Sequence, residues 1–291
     1  MSTRAATLIG FTAVLLWSLL ALFTAASGTV PPFQLAAMTF AVGGGLGALS
    51  WLMRPGQAVA LRQRPVVWAL GVGGLFGYHA LYFAALRLAP PAEAGLINYL
   101  WPLLIVLFSA LLPGERLKLA HVAGALVGFA GVAVLIAGRG AIRADAAHLP
   151  GYLCAFAAAF VWSGYSVLSR RFGSVPTDAV AGFCLATAAL SLLCHLAFET
   201  TVWPASPTEW LAILALGVGP VGAAFYVWDI GVKRGDIRVL GIASYAAPVL
   251  STLILVVAGY AEPSLSLAVS CALIVLGAAV ATLARRRTVT A

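Results

Sequence analysis

FTAVLLWSLLALFTAASGTVP, residues 11–31, aligns without a gap with FAAAFVWSGYSVLSRRFGSVP, residues 156–176. Seven of the 21 positions are identical, including a Trp-Ser pair in the middle and the closing proline. Internal similarity of this kind indicates a duplication. We therefore interpret the chain as two halves, residues 1–142 and 143–291. The same correspondence continues along both halves, where it pairs Gly95, Tyr99 and Pro102 with Gly241, Tyr245 and Pro248.

The composition is that of an integral membrane protein. Of the 291 residues, 62% are hydrophobic and only 9% are charged, whereas a soluble domain carries about 25% charged residues. The mean hydropathy is +1.02, which excludes an ordinary water-soluble protein. The cysteines lie in apolar stretches without metal-ligand spacing, so we expect neither a disulfide nor a metal site at Cys154, Cys184, Cys194 and Cys271.

Ten stretches are long and apolar enough to cross a bilayer as helices, for which about 20 apolar residues suffice. Span 1 has an equivalent in span 6 and is followed by further spans, so we do not expect a cleaved signal peptide. The predicted fold class is an all-α integral membrane protein. We number the stretches spans 1 to 10 and place them near residues 5–26, 32–53, 65–87, 91–112, 117–138, 149–171, 177–198, 208–233, 237–259 and 264–285.

Each half holds five spans, which is an odd number. The second half must therefore enter the membrane from the side opposite to the first. This arrangement is an inverted-topology repeat, which is common among secondary transporters. It predicts a substrate site near the bilayer midplane, between the two halves.

Basic residues predict the orientation, because cytoplasmic loops carry most of the Lys and Arg of a membrane protein. With both termini cytoplasmic, fourteen of the seventeen Lys and Arg residues lie inside, among them Arg116 and Arg287, and only Arg87, Arg139 and Arg143 lie outside. This topology accounts for the net charge of +8, so no nucleic-acid partner is expected. Glu115 and Glu262 precede spans 5 and 10, where a carboxylate favours the helix dipole.

Polar and aromatic side chains at mid-span mark the candidate site, because polar groups in hydrocarbon are unfavourable unless they face the bundle or a cavity. In span 3, Tyr78 and Tyr82 lie one helical turn apart, with His79 beside them. Four glycines before them indicate close helix contact or a bendable segment. Packing within the core is the alternative interpretation.

Span 4 interrupts an apolar run with four candidate residues: Asn98, Tyr99, Trp101 and Pro102. The proline predicts a kink. Trp101 lies at mid-depth, which argues against an interfacial aromatic belt. Span 9 repeats the pattern with Ser244 and Tyr245, and span 6 contributes Trp162, the equivalent of Trp17.

Proton-coupled export needs an ionisable group in the pathway, and His79 and Asp229 are the two candidates. Asp229, in span 8, is the one acid expected to be deeply buried. Lys233 follows it at i+4, however, so an ion pair near the cytoplasmic end is the alternative. The sequence leaves open whether protons or the substrate's own gradient drive transport.

The paired Trp-Ser motifs of spans 1 and 6 and the stretch PGERLKLAHVAGALVGFAGVAVL, residues 113–135, resemble the EamA branch of the drug/metabolite transporter superfamily. The resemblance covers nearly the whole chain. INYLWPLLIVLFSALLPGERL, residues 97–117, is similar to the aromatic amino-acid exporters within that branch. The second half departs from this pattern, because GIASYAAPVL, residues 241–250, keeps Tyr and Pro but lacks Asn and Trp.

The resemblance implies a bacterial inner-membrane exporter of amino acids and related small metabolites. The duplication predicts alternating access, and the mid-span residues predict a central aromatic-lined cavity. We expect no cofactor, and we expect a monomer whose partners are its substrate and the lipid bilayer. A broad-specificity drug or metabolite exporter is the nearest alternative. A channel fits less well, because the polar groups cluster at mid-depth. An enzyme is not expected, since neither G-x-S-x-G nor H-E-x-x-H occurs.

Overall fold

The computed structural model describes residues 1–54, 56–114, 117–138, 145–259 and 261–286, with side chains as far as Ala281. Every regular element in these ranges is a helix. The expected boundary at residues 142 and 143, together with Glu115, Arg116, Arg139, Arg143 and Arg287, lies outside the described residues.

Ten helices in the described ranges correspond to the ten predicted spans, in order and to within a few residues. This agreement confirms the all-α membrane class. Nine are long and apolar enough to cross a bilayer: Thr3–Ala26, Pro32–Met53, Pro65–Leu88, Pro91–Leu111, Leu119–Ala137, Ala146–Arg171, Ala179–Phe198, Pro207–Arg234 and Ile237–Val257. The tenth is Leu265–Arg286.

Proline and capping side chains set several helix starts. Proline lies in the first turn of spans 2, 3, 4 and 8, where its missing N–H has no intrahelical partner to lose. The Asp236 carboxylate accepts the N–H groups of Arg238 and Val239 at the start of span 9. Such caps satisfy backbone donors that the helix itself leaves free.

Spans 4 and 9 are interrupted at the predicted positions. The first helix of span 4 ends at Asn98 and the next begins at Trp101. In span 9 the helix ends at Ala243 and resumes at Ala246. At each interruption a backbone N–H donates to the carbonyl three residues earlier, which tightens the chain into a short turn.

Spans 3 and 8 each contain one π-helical turn, Gly73–Gly77 and Gly219–Ala223. The two turns occupy equivalent positions of the two halves. Small residues allow neighbouring side chains to pack closely against these wide turns. At Gly74, for example, the Tyr165 ring lies so close that a Cβ would be only 2.4 Å from it. Such turns are frequent at functional sites within α-helices.

Four pairs of spans pack most extensively against each other, 1 with 8, 3 with 6, 2 with 7 and 5 with 10. Spans 4 and 9 contact each other, but they pack more extensively against spans 6 and 1, respectively. This set of contacts stays the same when each span is exchanged for its equivalent in the other half. Gly10 meets Gly231 where span 1 crosses span 8. At the equivalent crossing of spans 6 and 3, Ala155 and Ala85 share one buried cluster. Small residues at both crossings let the helix backbones approach closely.

Two larger buried clusters fill the interior. One is rich in aromatic rings and joins spans 1, 2, 3, 4, 6, 7, 8 and 9. The other lies between spans 4, 5, 9 and 10. The interruption in span 4 separates residues that contribute to different clusters, Trp101 to the first and Tyr99 to the second.

Candidate substrate site

Rings from six spans meet at the centre of the molecule. Six of the nine rings directly follow the wide turn of span 3, the wide turn of span 8 or the interruption of span 4. The aromatic cluster consists of Trp17, Phe40, Tyr78, His79, Tyr82, Trp101, Trp162, Phe225 and Trp228.

Trp17 and Trp162, the two equivalent tryptophans, lie at the middle of the aromatic cluster with their ring centroids 5.7 Å apart. The Trp17 ring is also 5.1 Å from Trp228 and 6.2 Å from Trp101. Most of these pairs are edge-to-face, an arrangement that aromatic quadrupoles prefer over direct stacking. The centre of the site therefore consists of indole faces and edges contributed by both halves.

Hydrogen bonds fix the orientation of these tryptophans. The indole N–H of Trp17 donates to the Pro220 carbonyl at 3.1 Å. The indole N–H of Trp228 donates to Ser166 Oγ at the same distance. Ser163 Oγ donates to the Trp101 carbonyl at 2.9 Å. The Pro220 carbonyl belongs to the wide turn of span 8, so that turn and the Trp17 ring are linked directly.

Three polar groups border the rings. Asn98 Nδ2 donates to Tyr78 Oη at 3.1 Å, and Asn98 Oδ1 is buried without a hydrogen-bond partner among the described residues. His79 Nδ1 lies 2.7 Å from the Leu75 carbonyl. Because a carbonyl only accepts, Nδ1 carries the hydrogen, and Nε2 is then an acceptor.

The structure brings together six of the predicted substrate-binding residues, which all belong to the aromatic cluster or contact it: Tyr78, His79, Tyr82, Asn98, Trp101 and Trp162. Pro102 is buried beside them in span 4, and its carbonyl lies 3.1 Å from where a Cβ on Gly241 would stand. Pro102 therefore lies at the close contact of spans 4 and 9.

The other three predicted residues lie outside the aromatic cluster. Tyr99 and Tyr245 belong to the buried cluster between spans 4, 5, 9 and 10, where the Tyr245 ring fills the space left by Gly128. The Ser244 hydroxyl donates to the Leu240 carbonyl of its own helix at 2.7 Å.

Four members of the aromatic cluster are not among the predicted substrate-binding residues: Trp17, Phe40, Phe225 and Trp228. The duplication contained the signal for three of them. Trp17 is equivalent to Trp162, Phe225 to His79 and Trp228 to Tyr82. Phe40, whose ring stacks on Phe225 with centroids 5.5 Å apart, has no such signal.

Asp229 forms the ion pair that was the alternative interpretation. Its Oδ1 is 2.8 Å from Lys233 Nζ, and both side chains are buried. Thr177 Oγ1 donates to Asp229 Oδ2 at 2.7 Å, and Lys233 also donates to the Val175 carbonyl at 2.9 Å. Both carboxylate oxygens thus have partners.

The expectation that Asp229 is the one deeply buried acid is wrong. Glu93 is buried at the start of span 4, where it accepts the Tyr152 hydroxyl. Glu199, after span 7, has a side chain only 2% exposed. Partners explain the burial, because Glu199 accepts from Arg87, His195 and the backbone N–H groups of Phe33 and Gln34. A buried carboxylate is stable when donors of this kind surround it.

Known proteins resemble this chain over its full length. Residues 4–137 and 149–283 each match the EamA-like transporter family. An aromatic amino acid exporter YddG from Ancylobacter novellus is 65% identical and covers 99% of this chain and 100% of its own. The Escherichia coli protein of that name is 26% identical over 87% of this chain and 88% of its own. A crystal structure of a 65% identical protein superposes with a TM-score of 0.95 and covers 99% of both chains.

Proposed function

Because the chain belongs to the EamA-like transporter family, we propose that it exports aromatic and other neutral amino acids and related small metabolites. Export takes place across the bacterial inner membrane, with both chain termini cytoplasmic. The similar proteins named as aromatic amino acid exporters support this substrate class. The aromatic cluster at the junction of the two halves is the observation that carries the proposal.

The aromatic cluster suits a neutral amino acid. An aromatic side chain packs against the tryptophan and tyrosine rings, and an ammonium group gains about 0.5–2 kcal/mol over a ring face. The aromatic cluster itself contains no Lys, Arg, Asp or Glu. Without a fixed charge pair, binding is weak and selectivity broad, which suits a protein that removes surplus metabolites.

We propose that the two halves form an inverted repeat that works by alternating access. The separate family matches of residues 4–137 and 149–283 support the duplication. The exchangeable packing pairs and the equivalent π-helical turns support a two-fold relation between the halves. Such a relation gives a transporter two related conformations, one open to each side of the membrane.

Unequal burial of equivalent residues supports an outward-open conformation. In span 3 the residues after the wide turn, including Tyr78, Tyr82 and Leu86, are partly exposed. Their equivalents in span 8, Ala224, Trp228 and Val232, are completely buried. The second half of span 3 leads to the predicted outer face and that of span 8 to the cytoplasmic face. The site is then accessible from outside and closed from inside.

A network of polar contacts closes the cytoplasmic side in this proposal. It includes the Asp229–Lys233 pair, and it joins span 8 to spans 6 and 7. Arg170 of span 6 donates to the Gly235 carbonyl at 2.6 Å, and Lys233 reaches the Val175 carbonyl before span 7. These contacts must break for the site to open toward the cytoplasm.

Purified protein in proteoliposomes tests the proposed function. Uptake of labelled amino acids from a panel of neutral, aromatic, acidic and basic types is measured with and without a pH gradient. Neutral and aromatic amino acids are expected to cross. Trp101→Ala and Tyr78→Ala are each expected to reduce this flux at unchanged expression and monodispersity, because both rings line the site.

Trp203→Ala is the matched control, since Trp203 is an exposed tryptophan that stacks on Trp210 outside the aromatic cluster. Flux in this variant should equal that of the wild type. If Trp101→Ala and Tyr78→Ala both transport at the wild-type rate, these residues serve in packing and not in substrate binding. The absence of amino-acid flux in the wild type would reject the proposed substrate class.

A further inference from the structure

We infer that the Asn98–Tyr78 pair recognises the carboxylate of the substrate, an inference that rests on the proposed function. Asn98 Nδ2 donates to Tyr78 Oη at 3.1 Å. A hydroxyl that accepts a hydrogen bond retains its own hydrogen for another acceptor. The Tyr78 O–H is therefore a donor whose direction Asn98 restricts.

The Tyr78 ring is held in place by its neighbours. It stacks on Tyr82 with ring centroids 6.0 Å apart and lies 5.5 Å from Trp162. Tyr78 is partly exposed, whereas Asn98 is only 4% exposed. The ligand is therefore placed on the tyrosine side of the pair, while Asn98 acts from behind Tyr78 as a positioning residue.

The amide orientation of Asn98 decides the direction of the hydroxyl. With Nδ2 toward Tyr78, the enclosed Oδ1 has no partner among the described residues. The opposite orientation would direct the tyrosine hydrogen to Oδ1 and leave Nδ2 without a partner instead. Only the orientation with Nδ2 toward Tyr78 leaves the Tyr78 hydrogen for a ligand.

A carboxylate is the ligand group that needs such a donor. Ring faces carry negative charge density, so they attract an ammonium group but not an anion. A hydrogen bond to an ionised acceptor is stronger than one between neutral groups. The tyrosine hydroxyl thus supplies what the surrounding ring faces do not.

The pair occurs in the first half alone. The position equivalent to Asn98 is Ser244, whose hydroxyl bonds to its own helix, and the position equivalent to Tyr78 is Ala224. Although the two halves are otherwise similar, only the first half thus provides a group that binds the carboxylate. Every amino acid in the site is then oriented with its carboxylate toward spans 3 and 4.

Competition in proteoliposomes tests this inference. Inhibition constants are measured for L-phenylalanine and L-phenylalaninamide, which differ in the carboxylate. The wild type is expected to bind phenylalanine more tightly. Tyr78→Phe and Asn98→Leu are expected to raise the constant for phenylalanine about tenfold, the usual effect of losing a hydrogen bond to a charged group. The constant for the amide should rise less, because its neutral carbonyl accepts a weaker hydrogen bond than a carboxylate does.

A third variant, Asn98→Asp, keeps the shape of the side chain but replaces its donor with an acceptor. It should take the Tyr78 hydrogen and shift the preference toward the amide. Tyr226→Phe is the matched control, because it removes a hydroxyl that bonds to the Gly43 carbonyl outside the aromatic cluster. The ratio of the two constants should be unchanged there.

An unchanged ratio in all three folded variants, or a wild type inhibited equally by both compounds, would overturn the inference while the proposed function stands. A wild type that takes up no amino acid rejects the proposed function instead. A purely structural role of the pair would weaken both compounds equally and leave the ratio at its wild-type value, which also overturns the inference.

Discussion

Gly10 of span 1 and Gly231 of span 8 touch backbone to backbone, since a Cβ on Gly231 would lie 2.5 Å from the Gly10 Cα. Gly231→Ala must push the two spans apart, and overpacking of this kind destabilises a protein by about 1–3 kcal/mol. We expect a lower apparent melting temperature, measured by size-exclusion chromatography of heated samples in detergent.

Gly45→Ala is the control for this variant. A Cβ at Gly45 in span 2 meets nothing within 4 Å, and Ala favours a helix over Gly by up to about 1 kcal/mol. Its melting temperature should equal or exceed that of the wild type. Equal stability of both variants would show that the helix crossing tolerates a methyl group.

Glu199 is expected to hold one end of spans 2, 3 and 7 together. Its carboxylate accepts the N–H groups of Phe33 and Gln34 at the start of span 2 at 3.0 and 3.1 Å, and it contacts Arg87 at 3.2 Å. Glu199→Gln removes the charge and one acceptor, which leaves a buried donor unpaired. We expect a loss of about 1–3 kcal/mol in thermal unfolding.

Asp178→Asn provides the comparison at the other end of spans 2 and 7. Asp178 bonds Arg54 at 2.8 Å, but the arginine is 53% exposed, and exposed ion pairs contribute at most about 1 kcal/mol. This variant should unfold at nearly the wild-type temperature. A larger loss here than in Glu199→Gln would contradict the assignment of the stronger contact to Glu199.

Equivalent positions in the two halves should label unequally. In a background in which the four native cysteines are replaced, Leu86→Cys should react with a membrane-impermeant maleimide and Val232→Cys should not. Leu86 is partly exposed and Val232 completely buried, although the duplication makes them counterparts. Labelling is read by gel shift in inside-out and right-side-out vesicles.

Addition of substrate should increase labelling at Val232→Cys as the cytoplasmic side opens. This result is expected only if the two conformations interconvert. Rapid labelling of Val232→Cys without substrate, together with protection of Leu86→Cys, would mean that the resting protein opens inward.

His79 is the better of the two candidates for proton coupling, because both oxygens of Asp229 are occupied by Lys233 and Thr177. The Nε2 atom of His79 has no partner among the described residues. His79→Gln should leave downhill transport intact and abolish any drive by a pH gradient. Flux is measured in proteoliposomes with the gradient imposed and collapsed.

Asp229→Asn serves as the comparison for coupling. It should lower stability, because Lys233 loses a buried counter-charge, and it should leave the response to the pH gradient as in the wild type. An unchanged pH response in His79→Gln would exclude His79 as the coupling residue.

Much of the fold follows from the sequence, because bilayer thickness and apolar composition together set the position of a span. The ten helices lie where the apolar stretches lie. The interruption at Asn98 to Pro102 was also predictable, since proline cannot donate the backbone hydrogen bond that an uninterrupted helix requires.

The lining of the site was less predictable, because it depends on helix rotation. Tyr99 lies one residue from Asn98, yet it packs against a different cluster. The interruption breaks the regular helical spacing of span 4. The sequence positions of these residues therefore no longer tell which way their side chains face. Phe40 joins the aromatic cluster because of how span 2 packs, and no local sequence pattern predicts that packing. The burial of Glu199 was unpredictable for the same reason, since its hydrogen-bond donors come from residues far away in the chain.

The π-helical turns of spans 3 and 8 also let these spans tolerate a change in length. Each hydrogen bond of a π-turn spans one residue more than that of an α-helix, so Gly73–Gly77 holds one residue beyond what a regular helix would need there. Deletion of one residue from this turn should restore an α-helix and leave Tyr78, His79 and Tyr82 facing the aromatic cluster. Deletion of one residue from a regular α-helical turn would instead rotate everything beyond it by about 100°, because one turn takes 3.6 residues. The glycine-rich turn is therefore a place where the chain can lose a residue without changing which side chains form the aromatic cluster.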